Sequence, residues 1–190
     1  MKHTATMALM LNLAIASVYA QRAPVSMTFS GTAGASAINL QQPNASTGEE
    51  NVTGNGTLGP FTFRNVTASA NSPSPQPPST CSGSTQLYFQ RVAGEGIFRF
   101  QDGSLLNVNL TQGGDCIDLV ANEGHCTLTL QVNGGTGRFK NASGVLTFTE
   151  TALPVLADAF GNPVFFDETG EFKGTVSGVA EEQDGQEERQ

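Results

Sequence analysis

The sequence has no tryptophan, two histidines, three cysteines and only 14% charged residues in a length of 190. Each shortage closes off a class of protein. Lysine and arginine number 9 against 17 acidic residues, giving a formal charge of -8. Without a basic stripe to neutralise phosphates, nucleic-acid binding is excluded. Beyond the N-terminal segment no apolar run reaches the length of a spanning helix, so no membrane span is expected. The missing tryptophan and the close spacing of the cysteines argue against an immunoglobulin-like sandwich. With His125 the one histidine after residue 20, and with no G-x-S-x-G, P-loop or H-E-x-x-H pattern, hydrolase triads, nucleotide sites and metalloprotease sites have no support.

What is abundant points to β-structure. Glycine (22) and phenylalanine (12) are frequent among many Ser, Thr, Asn and β-branched residues. The first twenty residues read as a signal peptide: Lys2 and His3 precede an apolar stretch from Met7 to Ile15 interrupted by Asn12, and Val18-Tyr19-Ala20 suits a signal peptidase. Cleavage after Ala20 predicts a secreted chain beginning at Gln21, or a periplasmic one in a bacterium. The tail, residues 181–190, has five acids, one arginine and no apolar side chain, and is expected to be disordered. Residues 21–180 form one predicted domain.

Within it, alternation of period two predicts strands at Ser26–Ser30, Phe61–Arg64, Leu87–Arg91, Ile97–Phe100, Leu106–Thr111, Ile117–Val120, Thr127–Val132, Gly144–Glu150, Val164–Phe166 and Glu171–Val179. Residues 31–57 are small and polar and read as a long loop or frayed edge. The prolines in residues 71–80 make that stretch an exposed extended loop. Asp102-Gly103 marks a hairpin turn, and residues 151–162 read as an irregular apolar connection. About eight short strands in one domain predict an all-β fold: an antiparallel up-and-down barrel, with a β-sandwich as the alternative.

An exported chain can form disulfides. Cys116 and Cys126 flank the turn Asn122-Glu123-Gly124 and are predicted to face each other across neighbouring strands, leaving Cys81 free or paired with another chain. N-x-[ST] sequons at Asn44, Asn51, Asn55, Asn65, Asn109 and Asn141 are glycosylation candidates in a eukaryotic host, although a chain rich in Asn, Ser and Thr also generates them by chance.

The segment Gly134-Gly135-Thr136-Gly137-Arg138-Phe139-Lys140-Asn141-Ala142-Ser143-Gly144 resembles the G-G-T-G-x-F-x-x-A-x-G signature of the allene oxide cyclase and dirigent barrels. The rhythm of residues 86–180 is similar to such barrels, whereas the Gly/Pro-rich front is not. The resemblance implies an eight-stranded barrel whose apolar cavity holds a reactive intermediate and directs its stereochemistry, with no metal or nucleotide cofactor. It carries over no catalytic residue.

Site candidates therefore come from alternation. Phe98, Phe100, Leu128, Leu130, Leu146, Phe148 and Phe172 are expected to line the interior, and Tyr88 could offer a hydrogen bond to a ligand. Glu150 continues the Leu146 and Phe148 face. It is the candidate acid or base if it points inward, and a solvated strand-end residue if it overshoots the core. Asp115, Asp118 and Glu123 could gather at a hairpin end around Ca²⁺, but capping turns is the expected role, and no metal site is assigned. Three functions fit: a secreted barrel binding a small apolar molecule, a cofactor-free isomerase or cyclase on the same barrel, and a cell-surface or matrix protein. Oligomeric state is left open.

Overall fold

A computed structural model describes residues 22–180. The expected signal peptide and acidic tail lie outside the described residues. The chain is all-β, with strands β1 (Ala23–Ala35), β2 (Ala45–Gly56), β3 (Phe61–Ala70), β4 (Gln86–Phe100), β5 (Leu105–Asp118), β6 (Glu123–Gly135), β7 (Ser143–Ala157) and β8 (Pro163–Ser177). Each pairs antiparallel with its neighbours in sequence, and β8 returns to β1, closing an up-and-down barrel. Closure leaves no long open edge, which suits a chain with few charged residues to guard one.

The strands are longer than alternation alone predicts. Residues 31–57 are not a loop: β1 runs through Ala35, and β2 occupies Ala45–Gly56. Their inward positions are glycines as often as apolar residues, so the hydrophobic signal disappears. The space is filled by neighbours; a Cβ on Gly54 would come within 2.6 Å of the Phe61 ring. Residues 151–157 likewise continue β7, with an irregularity at Pro154/Leu156, before a turn at Asp158–Asn162. The resulting β7–β8 hairpin exposes Leu153, Val155, Leu156 and Phe160. The Pro-rich stretch is indeed a loop, and carries one short 3₁₀ turn, Ser79–Cys81.

The interior divides along the barrel axis. One end is packed with aromatic rings. Phe172 lies 4.7–5.9 Å, centroid to centroid, from Phe29, Phe61, Phe63, Phe98 and Phe148, and Phe139 closes this end 4.7 Å from Phe100. Edge and tilted arrangements of this kind add to the burial of the rings themselves. The glycine-rich segment between β6 and β7 delivers Phe139 to that position. Gly134 has φ +77°, and a Cβ on Gly144 would lie 2.0 Å from the Thr175 carbonyl oxygen, so both sites require glycine.

Two bulges control which side chains reach the other end. In β4, Val92 is the extra residue between the pairs Ala68↔Ala93 and Ser69↔Arg91. In β5, Thr111 is extra between Leu110↔Leu130 and Gln112↔Thr129. A one-residue insertion reverses the alternation beyond it. Leu106 and Val108 point inward before the β5 bulge, and Asp115 points inward after it.

That reversal overturns the predicted disulfide. Cys116 is paired with His125, while Cys126 is paired with Asp115 and faces the interior. The bridge joins Cys81 of the Pro-rich loop to Cys116 with a Cα separation of 5.6 Å, and Cys126 is a buried free thiol. Asn65 is a second correction. It is buried inside the wall, where a glycan cannot attach, whereas Asn44, Asn51, Asn55, Asn109 and Asn141 are exposed.

Candidate functional site

Six titratable side chains from six of the eight strands converge at the end opposite the aromatic plug: Glu50 (β2), Arg91 (β4), Asp115 (β5), Cys126 (β6), Glu150 (β7) and Glu168 (β8). Each is placed by the inward half of its strand's alternation, with Arg91 and Asp115 turned inward by the bulges. They surround a cavity of about 180 Å³ whose remaining wall includes Ala33, Ile117, Ala152 and Phe166.

Arg91 is the organiser. Its Nε and Nη2 donate to the two oxygens of Asp115 at 2.8 and 3.0 Å, and its Nη1 donates to Glu50 Oε1 at 3.0 Å and to Thr67 Oγ1. The fork of the guanidinium suits this two-carboxylate grip, which lysine could not reproduce. Asn65 Nδ2 donates to the other Glu50 oxygen at 2.6 Å. Glu50 and Asp115 are thereby held.

Glu150 and Glu168 are not. Their side chains are 5% and 2% exposed, and Oε2 of each is buried with no hydrogen-bond partner. Oxygens of Glu50, Glu150 and Glu168 lie within 4.8 Å of one another, as do ligand atoms of Asp115, Cys126 and Glu150. The all-oxygen trio has donors of the type a hard cation takes, although one of its members already carries the Arg91 charge.

Three buried carboxyl groups, Glu50, Glu150 and Glu168, share the site with one guanidinium, which disfavours ionising all three. Burial, then the charges of Glu50 and Glu168, hold Glu150 well above the usual carboxylate range. Burial, followed by Glu50, pushes Glu168 up to about 8. Glu50 is also raised by burial, with Arg91 and Asn65 opposing. Burial works against the charge on Arg91, but Asp115 and the other neighbouring anionic groups outweigh it and hold the guanidinium firmly protonated. Burial and Asp115 raise the Cys126 thiol, which keeps it a poor nucleophile. With Glu168 raised to about 8, the cluster keeps a protonated carboxyl group at neutral pH, the kind of group from which a general acid is made.

Of the predicted site residues, Glu150 lies inside the cavity and does not overshoot into solvent. Phe98, Phe100, Leu128, Leu130, Leu146, Phe148 and Phe172 all face inward but pack on one another, and none lines the cavity. Tyr88 is on the outer wall, its ring over Gly114. Asp118, Glu123 and Asp115 do not gather: Asp118 caps the β5–β6 turn through Val120 and Ala121, Glu123 pairs with His125 outside, and Asp115 faces Arg91 inside. Alternation missed Glu50, Arg91, Asp115 and Glu168. Glu50 lay in a stretch with little apolar signal, Glu168 after an apolar run without alternation, and the other two beyond bulges.

A larger open groove, about 1220 Å³, runs outside the wall between the 36–44 loop and β3–β5, with Ile38, Val92, Ile97, Arg64 and Arg99 on its surface. Those side chains are exposed and need no partner. The unsatisfied carboxyl oxygens, at Glu150 and Glu168, belong to the smaller cavity, whereas Asn65, whose Oδ1 is also buried without a partner, borders the groove.

Among the described residues no helix is long and apolar enough to cross a membrane. Comparison with family models, with curated proteins and with solved structures gave no match to the chain in any of the three. What the fold and the site define is a class: a closed up-and-down β-barrel, plugged by aromatic rings at one end and lined by buried carboxyl groups at the other.

Proposed function

We propose that this is a secreted barrel that binds a small, mainly apolar molecule at its carboxylate end. The observation that carries this is a carbon-walled cavity containing two buried carboxyl oxygens with no partner, at Glu150 and Glu168. Buried polar atoms left unpaired cost stability, so a site that keeps them suits an occupant that satisfies them. Engineered apolar cavities of about 150 Å³ hold a benzene ring, so about 180 Å³ suits a body of roughly six carbons. The aromatic residues Phe98, Phe148 and Phe172 act beneath this site as the packed base that fixes its shape. The Cys81–Cys116 bridge accords with an oxidising compartment.

Native mass spectrometry of the protein collected from its own culture medium tests the reading. An adduct of small mass that is lost on denaturation is the expected result. No adduct, together with no binding of six-carbon probes in solution, would remove it.

A second reading, a cofactor-free isomerase or cyclase, is favoured by the protonation of the same carboxyls. A neutral Glu150 can give its proton to a ligand oxygen while an ionised neighbour accepts one from carbon. The resemblance of Gly134–Gly144 to the allene oxide cyclase and dirigent barrels supports it. Once a substrate is found by co-purification, turnover that survives Glu150→Gln would eliminate this role for Glu150.

A further inference from the structure

The unsatisfied carboxyl atoms at this end of the barrel are all oxygens: Oε2 of Glu150 and Oε2 of Glu168, with side chains more than nine-tenths buried and aimed into the cavity. The titratable groups lining the cavity are Glu49, Glu50, Arg91, Asp115, Cys126, Glu150 and Glu168, with Glu49 Oε2 accepting from Ser36 Oγ, so Arg91 is the single base among them, and its donors are committed to Glu50, Asp115 and Thr67. The surroundings supply no other. The loops at this end, residues 36–44, 71–85, 119–122 and 158–162, contain no lysine or arginine, and neither does residue 153 to 168 of the β7–β8 hairpin. Asp158 and Asp167 add negative charge there. An opening with acids and no bases favours the approach of a cation over an anion.

Resting on the small-molecule reading above, we propose that the occupant is a small primary amine, with its ammonium between Glu150 and Glu168 and its carbon body against Ala33, Ile117, Ala152 and Phe166. An ammonium has three donors and no acceptor, so it can reach both partnerless oxygens at once. An alcohol brings one donor, and a ketone brings only an acceptor. The amine arrives protonated. A carboxyl that is neutral in the empty protein then gives its proton to the buffer as the ion pair forms, so about one proton is released for each amine bound near neutral pH.

The test is calorimetric titration of the full secreted protein with cyclohexylamine, cyclohexanol and cyclohexanone, in buffers of different ionisation enthalpy. The amine is expected to bind about tenfold or more tighter than either neutral analogue, because its hydrogen bonds to carboxylate are charge-assisted. Its apparent enthalpy should shift with buffer by the equivalent of about one released proton. Glu168→Gln, which replaces a buried acid by its neutral isostere and so does not threaten the fold, should weaken the amine by a similar factor. If cyclohexanol or cyclohexanone binds as tightly as the amine, or if the amine binds without proton release, the amine assignment is wrong and the small-molecule reading stands. If none of the three binds, both are wrong.

Discussion

Cys116 and Cys126 stand on adjacent strands but on opposite faces of the barrel wall, because Cys126 is paired with Asp115 and Cys116 with His125. Non-reducing peptide mapping should therefore recover Cys81 linked to Cys116, with Cys126 open to alkylation only after denaturation. The bridge closes a loop spanning a sequence separation of 35 residues. Cys81→Ser is expected to lower unfolding free energy by about 3–4 kcal/mol in denaturant titration on loop-closure grounds. Cys126→Ala should cost far less and leave the map unchanged.

Acid should stabilise this protein more than it stabilises most. Glu168 has an ordinary value of 4.5 and is pushed to about 8 in the fold, and Glu150 and Glu50 move the same way. A raised carboxyl contributes stability that is complete below its unfolded value and is lost as pH rises through the folded one. Between these limits the unfolded chain has released the proton and the folded chain has not, at about 1.4 kcal/mol per pH unit for each such group. The melting temperature should fall from pH 5 to pH 8. Glu168→Gln should flatten that slope and raise the melting temperature at pH 8; an unchanged slope would refute the assignment.

Removing the guanidinium should be severe. Arg91→Met leaves Glu50 and Asp115 facing each other across the cavity with their shared partner gone. Loss of one member of such a buried network costs about 3–5 kcal/mol. Urea titration at pH 7 checks this. The double variant Arg91→Met with Glu50→Gln should recover part of the loss, since one buried charge goes with its partner.

The aromatic end should respond to size and not to pH. Phe172 is fully buried among five other rings. Phe172→Ala is expected to cost about 3–5 kcal/mol, and Phe172→Leu less, with the difference set by how far neighbouring rings collapse. Both variants should keep the wild-type dependence of stability on pH, because the carboxyl groups lie at the other end.

The barrel was legible in the sequence because the strands from Phe61 to Phe63, Leu106 to Leu110, Thr127 to Val132 and Gly144 to Phe148 alternate cleanly, and the inward set they name is the observed core. The front of the chain was illegible for a spatial reason: Gly54 and Gly56 hold inward positions whose volume belongs to Phe61 and Met27. The site was readable only at Glu150, on an uninterrupted strand. Arg91 lies just before one inserted residue, Val92, and Asp115 after another, Thr111, neither marked by composition; parity carried back from Phe98 or forward from Leu106 assigns each to the wrong face. Glu168 follows the turn at Asp158–Asn162, where an apolar run without alternation hides which residues face in.

The packed rings around Phe172 make the interior a blind well. The open side of the cavity at Glu150 and Glu168 lies toward the loops of the opposite end, and the ring-packed end offers no through passage. Small molecules cannot file through this barrel from end to end as through a channel.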